Sequence, residues 1–225
     1  MSISIHLVSP KSRLQELLNM RSAVLPSCTV LEVELWRMAR EVVKCAMKRQ
    51  EPNLSQFLVI DYDLKQALAG APHSALGALA CPSTCSFHPQ VSPKDFAEAF
   101  GRHEAVSLPP PNWNHLQSRF ALQYWLSVHR LANQKTPEAC AHFFLLNSEI
   151  VETITHAKLS NIADFCDQFS FLQKFVLTSP KEDCLSIIEI ASDPNRSEKE
   201  KKLDLSFAKS RKFTHSSSFH SYSFN

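Results

Sequence analysis

Glycine is nearly missing from this chain, which has three among 225 residues. Phosphate-cradling loops and dinucleotide turns need glycine where backbone N–H groups approach a ligand closely, and neither G-x-G-x-x-G nor G-x-x-x-x-G-K-[ST] occurs. Nucleotide-driven enzymology is therefore disfavoured. A charge excess is lacking too: the formal net charge is +2, so no overall field drives the chain onto nucleic acid or an anionic membrane, and any basic surface must be local. No apolar run reaches the length of a membrane span, and the opening MSISIHLVSPKS has no basic region followed by an apolar stretch. A cytoplasmic protein without membrane association is expected.

What is present is ordinary for a globular chain, 44% apolar and 20% charged, long enough for one large domain or two small ones. The seven cysteines are an odd number, and Cys45, Cys140, Cys166 and Cys184 lie within apolar helical patterns, as buried reduced thiols do. Ser9-Pro10 opens a first helix that Pro26 is expected to end. Thr29 and Glu32 have capping-box spacing for a second, running to about Gln50 with Leu31, Leu35, Met38, Ala39, Val42, Cys45 and Ala46 on its apolar face. Arg37, Arg40, Lys44, Lys48 and Arg49, diluted by Glu32, Glu34 and Glu41, read as its solvated side. Phe57–Ile60 is either a buried strand or the start of a helix, and the reading leans to helix. Asp61 and Asp63 either bind a divalent ion or cap the next helix, the commoner role.

Prolines at 72, 82, 89 and 93 mark 71–111 as an irregular connection with at most one helical turn near Ala75–Ala80, then a helix from Pro93 to Phe100 and a stiff Pro109–Pro111 spacer. Within it, Cys81, Cys85 and His88 have the one metal-like spacing, C-x3-C-x2-H, with His73 upstream. No second ligand pair accompanies them. A loop with free thiols is the simpler reading, and no cofactor is assigned.

The helix from Asn112 to about Asn133 is apolar nearly all round, so it is buried on two sides. It is either the central core helix or a partner interface anchored by Trp113, Phe120, Tyr124 and Trp125. Thr136, Pro137 and Glu138 then read as N-cap, first-turn proline and first-turn acid of a short helix. Asn147 or Ser148 caps a second, and Ser160 a third. Phe171–Leu177 follows as a strand, and Ser179-Pro180 starts a helix to about Ser192.

This order of a phenylalanine-rich helix, Leu-Asn-Ser-Glu, a short helix, Ala-Lys-Leu-Ser, another short helix and a strand resembles the core of the FlhD-type subunit of bacterial flagellar master activators, relatives of which control conjugative transfer. Phe143, Leu146, Asn147, Glu149, Leu159, Ile162, Ala163 and Phe175 carry the resemblance, over about residues 136–177. It implies a non-enzymatic helical transcription factor acting with a second subunit, which in that family contributes a cysteine-bound zinc. The family is about half this length, residues 1–110 have no counterpart in it, and no four-cysteine cluster occurs here.

From Asp193 the composition turns basic, and Lys199, Lys201, Lys202, Lys209, Arg211 and Lys212 are the candidate nucleic-acid contacts. Phe213, Phe219 and Tyr222 are aromatics able to stack on bases, although a frayed charged terminus explains the composition as well. For catalysis, His103, His115, His129, His142 and His156 have no recognisable frame of nucleophile and orienting acid. The expectation is a mainly α protein with at most one or two short strands: a helical region over 1–70, the connection 71–111, a helical core over 112–192 and a basic disordered tail over 193–225. The expected role is a regulatory, non-enzymatic subunit of a DNA-binding activator complex, with a protein partner, duplex DNA, and homo- or hetero-oligomerisation. The alternative is an interaction adaptor of a secretion or conjugation system without DNA binding.

Overall fold

The computed structural model describes residues 10–49, 56–101, 115–169 and 173–218. The protein is mainly α, with three very short strands in place of the one or two expected. In chain order these are α1 (Pro10–Arg49), β1 (Leu58–Val59), α2 (Tyr62–Gly70), α3 (His73–Leu79), β2 (Phe87–Pro89), α4 (Pro93–Gly101), α5 (His115–Gln134), α6 (Pro137–Phe144), α7 (Ser148–Thr155), α8 (Leu159–Phe169), β3 (Phe175–Leu177), α9 (Lys181–Ser192) and α10 (Glu198–Ser218).

Local caps set the middle of the chain. Thr136 is extended and its hydroxyl accepts from the Ala139 N–H at 3.2 Å, while Asn147 accepts from the Glu149 N–H at 2.8 Å. Ser160 caps nothing: α8 already starts at Leu159, and the Lys158 carbonyl receives the first helical N–H groups. Glycine scarcity surfaces at the end of α6, where Leu145 takes the left-handed conformation (φ 56°) that glycine usually supplies, and its N–H returns to the Ala141 carbonyl.

Four expectations are corrected. Pro26 does not end a helix; α1 continues through it, since a proline deletes one N–H and the hydrogen bonds on either side carry the helix across. Thr29 and Glu32 accordingly form no capping box. Leu58 and Val59 are strand, because pairing to β3 outweighs local helix periodicity. The expected single turn near Ala75 is a two-turn helix, α3, with Ala75, Leu76, Ala78 and Leu79 buried. Finally, residues 198–218 of the expected tail are helical, amphipathic enough to bury Ala208 and lay Leu205 on the core. The rest of that stretch, 219–225, lies outside the described residues.

The sheet order is β1-β3-β2, with β3 parallel to β1 (Leu58 opposite Phe175) and antiparallel to β2 (Phe87 opposite Leu177). Each flanking strand is therefore paired to a segment about ninety residues or more downstream. Pro89, which has no N–H to give a ladder, sits on the edge strand. Around the sheet lies an aromatic cluster: Phe175 is 5.3 Å from Phe57, 5.1 Å from Phe120 and 5.0 Å from Tyr124, and Phe120 is 5.3 Å from Phe87. Helix α5 runs through the centre, packed on α1, α6, α7 and α8, while α9 packs on α2, α3 and α10. Buried residues from Cys28 to Ala208 form a single hydrophobic core cluster.

Thr136→Ala removes the α6 cap and should lower unfolding free energy by about 1 kcal/mol. Urea denaturation checks this, with the midpoint expected to move and the slope to stay fixed.

Candidate functional site

Two constellations stand out, one inside the core and one on α10. The inner one starts from Glu32, which lies in register with Leu35, Ala39, Val42 and Ala46 on the buried stripe of α1 and is itself fully buried. A buried carboxylate has to be met by donors. Glu32 Oε1 receives the Ser86 N–H at 2.7 Å, and Oε2 receives the Ser86 hydroxyl at 2.7 Å and the Cys81 N–H at 3.4 Å. Ser86 Oγ in turn accepts from Trp36 Nε1 at 3.3 Å and from Lys212 Nζ at 3.1 Å. Lys212 also donates to the Leu79 carbonyl and lies 5.3 Å from the Trp36 ring centroid. One hydroxyl thus gives one hydrogen bond and takes two, linking an anion from α1 to a cation from α10.

The loop between α3 and β2 that holds Ser86 is fixed on its other side by the chain's middle. The Cys85 N–H donates to the Phe143 carbonyl at 2.6 Å, and the Thr178 N–H and hydroxyl donate to the Ser86 and Cys85 carbonyls at 3.0 Å each. Nearby, Arg40 is buried as well: Nη1 donates to the Ala71 carbonyl at 2.9 Å and Nη2 lies 3.4 Å from His73 Nε2, tying α1 to the α2–α3 turn. Both Glu32 and Arg40 thus leave the solvated face on which sequence pattern places them. The signal for Glu32 is positional, since it holds a stripe position while its charge argues for water.

Sequence composition puts Lys212 among the nucleic-acid contacts, and its burial removes it from them. The others fall differently. Lys199, Lys202 and Arg211 are exposed, Lys201 is half-buried and 3.8 Å from Glu198, and Lys209 is half-buried with its pKa lowered by desolvation. Arg211 donates to Ser186 Oγ at 3.4 Å. Of the interface candidates, Phe120, Tyr124 and Trp125 are fully buried within the chain, so they pack the core and do not face a partner; Trp113 lies outside the described residues. Trp125 Nε1 is satisfied internally by Gln173 Oε1 at 2.9 Å.

Cys81 and Cys85 are buried, with Cys81 Sγ within 3.3 Å of Ser83 Oγ and 3.4 Å of Thr84 Oγ1, and among the described residues no three His, Cys, Asp or Glu side chains converge on a metal position. His88 lies in β2, its Nδ1 buried without a hydrogen-bond partner among the described residues. Burial pushes the Cys28 and Cys140 thiols up to about 12 and raises those of Cys85, Cys166 and Cys184. These groups stay protonated and weakly nucleophilic. Asp61 caps α2 by accepting from the Asp63 N–H at 3.0 Å, and Lys181 lies 3.2 Å from Asp61 and 3.8 Å from Asp63. Histidines 129, 142 and 156 sit on or at the end of separate helices. No helix among the described residues is long and apolar enough to cross a membrane.

Glu32→Gln removes the buried charge that is linked to Lys212 through Ser86 and turns an amide N–H toward the Ser86 and Cys81 donors, and should cost about 3 kcal/mol or more of stability. The paired replacement Glu32→Leu with Lys212→Met should cost less than the sum of the two single changes, a coupling read from urea midpoints of the four proteins. A second expectation concerns pH. Desolvation lowers the His88 pKa below its ordinary 6.5, partly offset by a hydrogen bond with the Phe144 backbone. The unfolded chain then takes up this proton more readily than the folded one, so stability is complete above the ordinary value and is lost as pH falls through the folded one. Thermal unfolding across that range should show a shallower acid slope in His88→Gln than in the parent.

Comparison with protein-family models, with curated proteins and with solved structures finds no match to this chain.

Proposed function

We propose that this chain is a non-enzymatic bacterial regulatory protein, a subunit of a DNA-binding transcriptional activator complex. The observation that carries the reading is the cationic flank of α10. Lys199, Lys202 and Lys209 lie along one side of the helix over about 15 Å, and among the described residues none of them has a carboxylate at ion-pair distance. The acids of the same helix are engaged elsewhere: Glu198 with Lys201, Glu200 with Ser197, Asp204 with Arg196. Uncompensated lysines on a helix held rigidly by a buried anchor suit a phosphate backbone, which takes charge without demanding base-specific geometry.

Two further points support it. The run of short helices α6, α7 and α8 followed by β3 matches the order in the FlhD-type resemblance. The buried, protonated thiols offer no ready nucleophile, which favours a regulatory reading over a catalytic one. An adaptor without DNA binding is the second reading, and the exposure of Leu203 and Phe207 on α10 favours it.

Retention of the full chain on duplex DNA should fall steeply with salt as counterions are released. Replacing Lys199, Lys202 and Lys209 together by alanine should weaken binding uniformly across sequences and flatten the log–log salt slope by about one unit for each phosphate no longer neutralised. Absence of retention at low salt, with and without a co-purified partner subunit, would sink the DNA-binding reading and leave the adaptor.

A further inference from the structure

The outer surface of α10 carries a second pattern, which meets its lysine flank at Lys199. Lys199, Leu203, Phe207 and Arg211 recur every four residues, so they form one ridge inclined along the helix. Its two middle members are large and apolar yet mostly in solvent: Leu203 is 59% exposed and Phe207 64%. Its two ends are cations with no carboxylate at ion-pair distance among the described residues. Beside the ridge, toward α9, opens a hollow of about 680 Å³ lined by Ser186, Ile190, Phe207 and Arg211 among others. In this hollow Arg196 is paired with Asp204, whereas Arg211 donates to Ser186 Oγ and has no ion pair among the described residues, so it keeps its charge at the ridge end.

We propose that the Lys199–Leu203–Phe207–Arg211 ridge of α10 and the hollow beside it are the docking surface for an acidic amphipathic helix of a partner protein, with apolar side chains against Leu203 and Phe207 and a carboxylate at each end. An amphipathic helix laid against a groove is anchored by apolar residues at such spacing, and the charged ends fix its register. The charge pattern argues against a second copy of this chain. Antiparallel self-pairing centred on the apolar pair sets Lys199 against the other copy's Arg211, and both ends of the contact become like-charged. The acids of α10 cannot relieve that clash, because Glu200 is held by Ser197 and Asp204 by Arg196. This surface shares only Lys199 with the proposed phosphate-binding flank, since Lys202 and Lys209 lie on the other side of the helix.

The test uses the full chain and a fluorescent synthetic helix of about 20 residues bearing Glu, Leu, Phe and Glu at successive four-residue spacing, together with a counterpart in which the two glutamates are lysines. Fluorescence anisotropy should show the acidic peptide binding about ten-fold or more tightly than the lysine peptide, a difference of one decade in Kd. Phe207→Ala should remove about a decade of that affinity, and the double change Lys199→Glu with Arg211→Glu should reverse the preference between the two peptides. A reversal cannot arise from misfolding, which keeps the result decisive even if one variant is less stable. Equal binding of both peptides, or undiminished binding to Phe207→Ala, overturns the proposal. So does sedimentation showing a dimer that Phe207→Ala dissociates, which would make the occupant a second copy. Binding of a single-stranded oligonucleotide that is abolished in Phe207→Ala, with no peptide binding, would likewise overturn it and make Phe207 a base-stacking residue.

Discussion

A carboxylate that no water reaches is the constraint around which this fold closes. Glu32 sits in the core of α1, and its oxygens are satisfied by two backbone N–H groups and one hydroxyl, all from the loop that precedes β2. That loop keeps its shape because Phe143 and Thr178 hold it from the opposite side. The hydroxyl gives its one proton to Glu32, and its lone pairs accept from Trp36 and Lys212. Segments from the start, middle and end of the chain therefore depend on one serine. Burying such charges need not be the most stable solution, since apolar groups of the same volume often do as well. What the network adds is direction: α10 can dock in the one register that brings Lys212 to Ser86.

The two sides of α10 then divide the labour of the molecule. Ala208 and Lys212 face inward and fix the helix. The outward side is left free of structural duty, and it is there that uncompensated lysines and exposed apolar residues occur together. Surfaces of this kind are useful because the scaffold beneath them is rigid, so ordering costs little when a ligand arrives.

What can be read from sequence follows the range of the signal. The caps at Thr136 and Asn147, the helix from Pro93 and the one from Lys181 are decided within four or five residues, and all lie where expected. Leu58–Val59 is strand only because Phe175 and Val176 lie beside it, a fact more than a hundred residues away in the chain. Glu32 and Lys212 escape sequence reasoning for a related cause. Both occupy stripe positions, Glu32 with Leu35 and Ala39, Lys212 with Leu205 and Ala208, yet charge alone argues for solvent. Their mutual compensation passes through Ser86, which no local pattern marks. The exposed ridge is invisible while residues 198–218 read as part of a tail, because a face has meaning only once a helix exists.

The sheet carries a consequence for how the chain acquires its structure. Its central strand is the last of the three to be synthesised, and each neighbour waits for it, β1 from residue 58 and β2 from residue 87. Loop closures of this length are slow steps, because chain entropy is lost before the distant pairing repays it. On a ribosome the first hundred residues would emerge with Phe57, Phe87 and the Glu32 carboxylate all lacking their final neighbours. The molecule must therefore complete itself late, when β3 and finally Lys212 have left the exit tunnel, and until then its aromatic surface is the natural client of a chaperone.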